Sequence, residues 1–148
     1  MLKDFTQLSY EEAIKILQWR NSPQIAKWMY NKNISKEEHF NFLKKLQNDN
    51  TKKYFLVDDI GVIDFTNITK TTANIGLYKN PSKKKVGDKL LEHIIDYGFN
   101  NLKLQKLTLE VFKNNQKAIS LYKKHNFKTV EEKKDIIKME LSYENRKI

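Results

Sequence analysis

The chain has 148 residues, 39% of them hydrophobic and 31% charged, with no cysteine and a formal net charge of +10. That length fits one domain over residues 1–148 with one sizeable core. The lack of cysteine excludes a disulfide framework, a thiolate metal site and an acyl-cysteine intermediate, so any acyl transfer is direct or uses another nucleophile, and no metal is expected. No apolar run approaches the roughly 20 residues of a membrane span, and the opening residues, MLKDFTQLSYEE, lack the apolar core of a secretion signal. A cytoplasmic protein away from membranes is expected. The positive charge calls for anionic partners or a solvated lysine-rich surface, and does not choose between a nucleotide-bearing small molecule and nucleic acid.

Residues 2–7 read as a short first strand. Ser9 with Glu12 forms a capping box for a helix whose buried face is predicted to be Tyr10, Ala13, Ile14 and Leu17. This helix reaches Trp19, Arg20 and Asn21 before Pro23 ends its regular turns. Arg20 therefore stands at a helix end beside a bend, where it either neutralises the negative terminus or serves a site. Residues 25–30, IAKWMY, make a short aromatic segment, and a second capping box at Ser35 and Glu38 opens a longer helix over residues 36–48. On that helix Phe40, Leu43 and Leu46 or Gln47 share one side, and His39, Phe42 and Leu46 share its neighbour. His39 is a candidate pocket residue, although a lone histidine serves as readily as an ordinary core or surface group.

Residues 53–57 and 60–67 read as two strands around Asp58 and Asp59, a hairpin suited to the centre of a sheet. Residues 70–73 are turn-like and 74–78, NIGLY, read as another strand, in which Gly76 implies a bulge or a close approach by another group. Asn80 and Pro81 break it. The run SKKKVGDKLLEHIIDYGF then opens a helix whose Leu90, Leu91, Ile94, Ile95 and Gly98 face the core, with Lys83, Lys84 and Lys85 at its start. Cations there oppose the helix dipole by about 0.3–1 kcal/mol each. A bound anion resolves the conflict, cradled by backbone N–H groups from Lys85 to Leu90, with Gly87 allowing close approach. The alternative is a solvated lysine run.

In residues 107–127 a strand pattern gives way to a helix pattern. Leu107, Leu109 and Val111 alternate with Thr108, Glu110 and Phe112, which puts Glu110 on the face opposite the leucines. Asn114 or Asn115 can cap the helix, and Ala118, Leu121, Tyr122 and His125 recur on one helical face, so that Tyr122 points inward or along a cleft. Residues 127–141 supply the last strand pair, joined near Lys134, before a frayed tail.

The pattern L-x-V-x-x-x-N-x-x-A-I-x-L-Y-x-K-x-x-F, carried by Leu109, Val111, Asn115, Ala118, Ile119, Leu121, Tyr122, Lys124 and Phe127, resembles the C-terminal half of the GNAT superfamily of N-acetyltransferases. Asn126 stands where a glycine is usual, and asparagine tolerates the left-handed conformation that ends a helix. The order strand, Asn-Pro, basic loop and helix is that of the GNAT pyrophosphate loop. Across its six positions, Ser82 to Gly87, only Gly87 matches; Lys85 replaces the first glycine and Ser82 the leading arginine or glutamine.

The resemblance implies an α/β (α+β) GNAT fold: a mixed, mostly antiparallel sheet of about seven strands with helices on both faces and a splayed cleft for acetyl-CoA. It implies acetyl-CoA contacts at Leu77, Tyr78, Lys79, Lys83, Lys84, Lys85, Val86, Gly87, Asp88, Lys89, Asn115, Ala118, Tyr122 and Lys124. A backbone N–H near Tyr78 would polarise the thioester carbonyl, and Tyr122 would protonate the departing thiolate. Glu110 is the candidate acceptor of the amine proton, directly or through water, with His39 the other candidate.

The segments WRNSPQIAKWMY, EEHFNFL, KKYFL, GVIDFTNIT and IGLYKNP, within residues 16–128, are similar to the N-acetyltransferases of bacterial pseudaminic acid biosynthesis. Those enzymes acetylate the 4-amino group of UDP-4-amino-4,6-dideoxy-N-acetyl-β-L-altrosamine. The similarity implies a UDP-amino-sugar partner and a pocket of Arg20, Met29, Tyr30, His39, Phe42, Thr66, Asn67, Tyr78 and Glu110. Arg20 and His39 would meet phosphates, and aromatic rings would stack on uracil or cover the 6-deoxy edge. Two alternatives stand beside this: an acetyltransferase of a protein N-terminus, a polyamine or another amino sugar, and a non-enzymatic nucleic-acid-binding domain. The latter needs lysines gathered on one face, and here they are spread through all segments, so no nucleic-acid partner is expected. A homodimer is left open.

Overall fold

The central strands carry apolar residues on both faces, since Phe55, Leu56 and Val57 of one and Val62, Ile63 and Phe65 of the next are all buried, and such strands need cover on each side of the sheet. The computed structural model describes residues 1–146. Strands β1 (Leu2–Asp4), β2 (Lys53–Val57), β3 (Gly61–Thr66), β4 (Thr72–Lys79), β5 (Lys106–Phe112), β6 (Lys128–Glu132) and β7 (Ile136–Ser142) form a seven-stranded sheet in the order β1-β2-β3-β4-β5-β7-β6. Every neighbouring pair is antiparallel except β4 and β5, which run parallel.

Among the described residues five α-helices accompany the sheet: α1 (Tyr10–Asn21), α2 (Pro23–Ala26), α3 (Lys36–Leu46), α4 (Gly87–Asp96) and α5 (Gln116–Lys124). Ile63 and Phe65 of β3 point to the face where Leu90, Leu91 and Ile94 of α4 join Leu107, Leu109, Met139 and Leu141 in the larger core. Val62 points to the other face, where Leu56 meets Ile16 and Trp19 of α1 and Leu46 of α3. The chain thus has helices on both faces of one mixed sheet. Both capping boxes form: Ser9 Oγ accepts from the Glu12 N–H at 3.1 Å, and Ser35 Oγ accepts from the Glu38 N–H at 3.0 Å.

Several details differ from the sequence reading. The first strand stops at Asp4, whose carboxylate accepts from the Thr6 N–H at 2.9 Å and turns residues 5–7 into a 3-10 turn. The buried face of α1 is Ala13, Ile16 and Trp19, while Tyr10 is exposed. That rotation follows from α3, since His39 fastens to the Ala13 carbonyl and draws Ala13 under it. The three lysines lie before α4, not in its first turn, because Lys85 has a φ of 58° that no right-handed helix accommodates. Gly76 makes no bulge; its strand keeps unbroken register with β3. Past β7 the Tyr143 N–H donates to the Gln105 carbonyl at 2.8 Å, so the chain there is tied down, and the remainder of the expected tail, residues 147–148, lies outside the described residues.

Gly61 is where the sheet admits α4. A Cβ there would stand 2.6 Å from the Tyr78 carbonyl oxygen and 2.8 Å from Leu90 Cδ1. Gly61→Ala should therefore lose about 1–3 kcal/mol in urea unfolding, the usual size of an overpacking penalty; an unchanged midpoint would show that β3 and α4 move apart freely.

Candidate active site

Strands β4 and β5 pair at only three positions, Thr72 with Lys106, Ala73 with Leu107 and Asn74 with Thr108. The Thr108 hydroxyl donates to the Asn74 side-chain oxygen at the last of them. Beyond it the strands part, although β4 stays paired with β3 as far as Lys79 and β5 stays paired with β7 as far as Phe112. Their inner edges therefore lack a strand partner over Ile75 to Lys79 and Leu109 to Phe112. A pleated strand turns backbone N–H and C=O groups alternately to its two sides, so β4 presents free N–H groups to the gap around Leu77 and Tyr78. Such donors suit a polarised carbonyl.

At the far end of β4 the chain builds an anion site. Helix α4 starts at Gly87, and its N-cap, Val86, supplies no side-chain acceptor, which leaves the first N–H groups of Gly87, Asp88 and Lys89 unsatisfied by the helix itself. The loop before it is braced: Lys79 Nζ donates to the Lys83 carbonyl at 2.6 Å, Asn80 Oδ1 accepts from the Ser82 N–H at 3.0 Å, and Lys83 Nζ lies 3.3 Å from Asp59. Lys84 and Lys85 are exposed beside these donors. Of the lysines assigned to this loop, Lys79 and Lys83 thus hold its shape, while Lys84 and Lys85 carry its free charge. Asp88 accepts from His125 at 2.8 Å and meets Lys124 Nζ at 3.1 Å. Those contacts, His125 first, hold its carboxyl below the usual range and join α4 to the end of α5.

Helix α5 is capped by Asn115, whose side chain accepts from the Ala118 N–H at 3.3 Å. Ile119 and Tyr122 are its buried residues. Burial, and secondarily the charge of Asp64, push the Tyr122 phenol well above its ordinary pKa, so its proton stays in place until a stronger base arises. Asn126 comes after the helix with a φ of 74°, the left-handed turn expected where a glycine is usual.

The face bearing α1 and α3 gathers the other residues. Arg20 Nη2 donates to the Asn31 carbonyl at 2.8 Å, tying the loop after α2 to the end of α1, while its Nη1 is buried without a partner. Burial works against the charge of this guanidinium, and Tyr78 and Tyr54 lie near enough to affect it. Phe42 meets Tyr54 edge-on at 4.9 Å. At the rim, the Tyr30 hydroxyl donates to Glu110 at 3.3 Å, Lys133 Nζ stands 3.8 Å from the same carboxylate, and the Tyr30 ring lies 5.5 Å from Phe112. Met29 and Thr66 are half-buried, and Asn67 is exposed with a φ of 49°. His39 is buried, and its Nε2 donates to the Ala13 carbonyl at 2.8 Å, leaving only Nδ1 for any other partner. Burial also depresses its pKa and keeps the ring neutral.

A further residue stands among these. Asp64, in the middle of β3, pairs across to Tyr54 on β2 and to Gly76 on β4. It keeps part of its surface accessible, yet enough protein surrounds the carboxyl for burial to push its pKa up to about 7. Sequence reasoning passed over it. Its signal was there, a single acid inside the apolar run GVIDF of a central strand.

Residues 4–128 match the family model of the acetyltransferase (GNAT) domain. The chain belongs to the GNAT acetyltransferases. It is 49% identical over 138 residues to Acetyltransferase PseH of Campylobacter jejuni subsp. jejuni serotype O:23/36 (strain 81-176), spanning 90% of this chain and 88% of that protein. It superposes with a TM-score of 0.83 and 41% identity on the crystal structure of C. jejuni N-acetyltransferase PseH in complex with acetyl coenzyme A, covering 97% of this chain and 98% of the other. A spermidine N-acetyltransferase from Vibrio cholerae, in complex with CoA and spermine, superposes with a TM-score of 0.86 at 23% identity over 99% of this chain and 96% of its own, a likeness of fold alone. The acetyltransferase uses acetyl-CoA, and the parted strands with the open N-terminus of α4 suit a thioester at one end and a pyrophosphate at the other. Among the described residues no helix is long and apolar enough to cross a membrane, and no cluster of metal-ligating side chains is present.

Burial of Asp64 also sets a pH dependence. Between its ordinary value, near 4, and about 7 the folded chain holds a proton that the unfolded chain has released, so the contribution of Asp64 to stability falls as pH rises through that window. Asp64→Asn should accordingly raise the melting temperature more at pH 8 than at pH 5, and an equal effect at both would mean that the carboxyl is not raised.

Proposed function

We propose that the acetyltransferase transfers the acetyl group of acetyl-CoA to the 4-amino group of UDP-4-amino-4,6-dideoxy-N-acetyl-β-L-altrosamine, by direct attack of the amine, as a cytoplasmic step of pseudaminic acid biosynthesis. The similarity to Acetyltransferase PseH over nine-tenths of the chain supports the pathway. The observation that carries the acceptor is Arg20: a half-buried guanidinium whose Nη1 is buried and unpartnered, set behind a loop that bears an exposed tyrosine. A guanidinium of this kind suits a diphosphate, and Tyr30, 73% exposed at the rim, offers a flat surface to uracil. Phe42 and Met29 line the less polar side, where a 6-deoxy methyl edge fits.

Bound acetyl-CoA supplies an activated acetyl group and a thiolate leaving group. The chain supplies the rest. N–H groups of Gly87, Asp88 and Lys89, with Lys84 and Lys85, hold the pyrophosphate; backbone N–H groups near Tyr78 draw electron density onto the carbonyl oxygen; Tyr122 gives its proton to the departing sulfur. Glu110, held at the rim by Tyr30 and Lys133, passes the amine proton outward through water. His39 serves as the pin between α1 and α3 in this scheme.

Incubation with acetyl-CoA and the UDP-4-amino sugar should release free thiol and yield a product one acetyl group heavier, with spermidine and N-terminal peptides inert; turnover of spermidine in its place would sink the assignment. Tyr122→Phe should lower turnover by about 100-fold, the lower end of general acid–base effects, at nearly constant affinity for acetyl-CoA. Undiminished turnover would remove Tyr122 as the acid. Arg20→Ala should weaken UDP binding in calorimetry by about tenfold or more, as expected for loss of a charged hydrogen bond. Equal affinity in parent and variant would contradict its phosphate role.

A further inference from the structure

Asp64 lies in a row of residues that runs straight across the parting of the sheet. Tyr54, Asp64 and Gly76 are cross-strand partners on β2, β3 and β4. Gly76 is two residues past Asn74, Glu110 is two residues past Thr108, and Asn74 and Thr108 are the last pair before the strands part. Gly76 and Glu110 therefore flank the gap at the same level, and the side chains of Asp64 and Glu110 belong to the same face of the sheet.

The missing side chain at Gly76 gives Asp64 its reach. A Cβ at Gly76 would stand 2.7 Å from Asp64 Oδ2 and 3.0 Å from Oδ1, so the carboxyl lies over β4 in the space a side chain would fill. The close approach that the glycine implied is made by this acid. Strands lie about 4.8 Å apart, so a carboxyl resting on β4 is one strand's width or less from the gap. Burial alone accounts for its raised pKa, with no hydrogen bond or cation contributing. An uncompensated carboxylate this well enclosed is costly for the fold, and a cationic ligand would compensate it.

We propose that Asp64 receives the acceptor as its ammonium ion and takes the proton that the amine must lose before it attacks. The proposal rests on the acetyltransferase reading with an amine acceptor. The proton moves from R–NH3+ to the Asp64 carboxylate, leaving a neutral amine and a carboxylic acid. The nitrogen lone pair forms the N–C bond, the C–S bond breaks with its electron pair on sulfur, and sulfur takes the Tyr122 hydroxyl proton. The second proton leaving nitrogen restores the phenol, and the Asp64 proton passes to water at the rim beside Glu110. One proton is released for each acetyl group transferred.

The titratable groups around Asp64 bind these steps together. Tyr54 on β2, Tyr78 on β4 and Tyr122 on α5 all feel its charge, Arg20 on α1 acts on the first two tyrosines in the opposite sense, and Glu110 on β5 stands across the gap. The Asp64 charge is one of the two causes that hold the Tyr122 proton in place. Neutralising Asp64 with the amine proton removes that hold, and so makes Tyr122 a better acid at the moment the sulfur needs its proton.

The test compares the parent, Asp64→Asn and Gly76→Ala in full pH profiles of acetyl transfer, with melting curves and acetyl-CoA calorimetry as controls for folding. In Asp64→Asn, kcat should fall about 100-fold or more, as for loss of a general base, and the acid limb of kcat/KM near pH 7 should vanish while acetyl-CoA affinity stays within about twofold. Gly76→Ala pushes on the carboxyl and should lower kcat in the same direction, with the double variant no worse than Asp64→Asn alone. Parent-like turnover and an unchanged acid limb in Asp64→Asn would overturn the proposal. A parent inert toward the UDP-4-amino sugar would instead defeat the acceptor assignment, and the same comparison would then use spermidine or an N-terminal peptide. A 13C titration of the labelled Asp64 carboxyl decides the matter apart from any acceptor: a midpoint near 7 supports the role, and one in the ordinary carboxylate range near 4 removes it.

Discussion

Two parallel strands that pair at three positions and then diverge leave backbone donors and acceptors unmatched in the middle of a sheet. An unpaired N–H in such a place is costly unless something bonds to it. Here the outer ladders of β4 and β5 run on to their ends, so the divergence is held open by the rest of the sheet and is not a frayed edge. Both chemical ends of the site arise from it. One end is the set of free donors near Tyr78, and the other is the start of α4, which the same strand delivers through a braced loop.

Charge is distributed over this frame in a consistent way. Positive groups lie at the two places proposed here for phosphates, Lys84 and Lys85 at the start of α4 and Arg20 on the opposite face. The acids lie between them, Asp64 on one side of the gap and Glu110 on the other. The formal charge of +10 is thus a poor guide to the reaction centre, which is ringed by tyrosines and acids. Low dielectric surroundings strengthen each of these interactions: burial raises Asp64 and all three of Tyr54, Tyr78 and Tyr122, and the Asp64 charge raises each tyrosine further.

Much of this was legible in the sequence because periodicity and capping are local. The change from period two to period 3.6 at residues 107–127 and the left-handed turn at Asn126 stand as read, and of the two candidate caps, Asn114 and Asn115, it is Asn115 that caps the helix. What was not legible depends on partners distant in the chain. The buried face of α1 is chosen by α3, through His39, so beside Ala13, which was expected there, Ile16 and Trp19 go under in place of Tyr10, Ile14 and Leu17. Lys85 leaves the helix because of a backbone angle that a lysine adopts only under constraint from its loop. Gly76 announced a close approach, but only strand register reveals that Asp64 makes it. Sequence reading picked Glu110 because it stands at a strand end, and overlooked Asp64 because an acid inside an apolar strand resembles an interruption.

The most direct test is a crystal structure with a non-transferable acetyl-CoA analogue and the UDP-4-amino sugar bound together. In that complex the thioester carbonyl should lie in the parting of β4 and β5, the diphosphate at Arg20, and the amine nitrogen within hydrogen-bond reach of Asp64. A sugar amine seated against Glu110 and remote from Asp64, or a nucleotide bound away from Arg20, would contradict this mechanism.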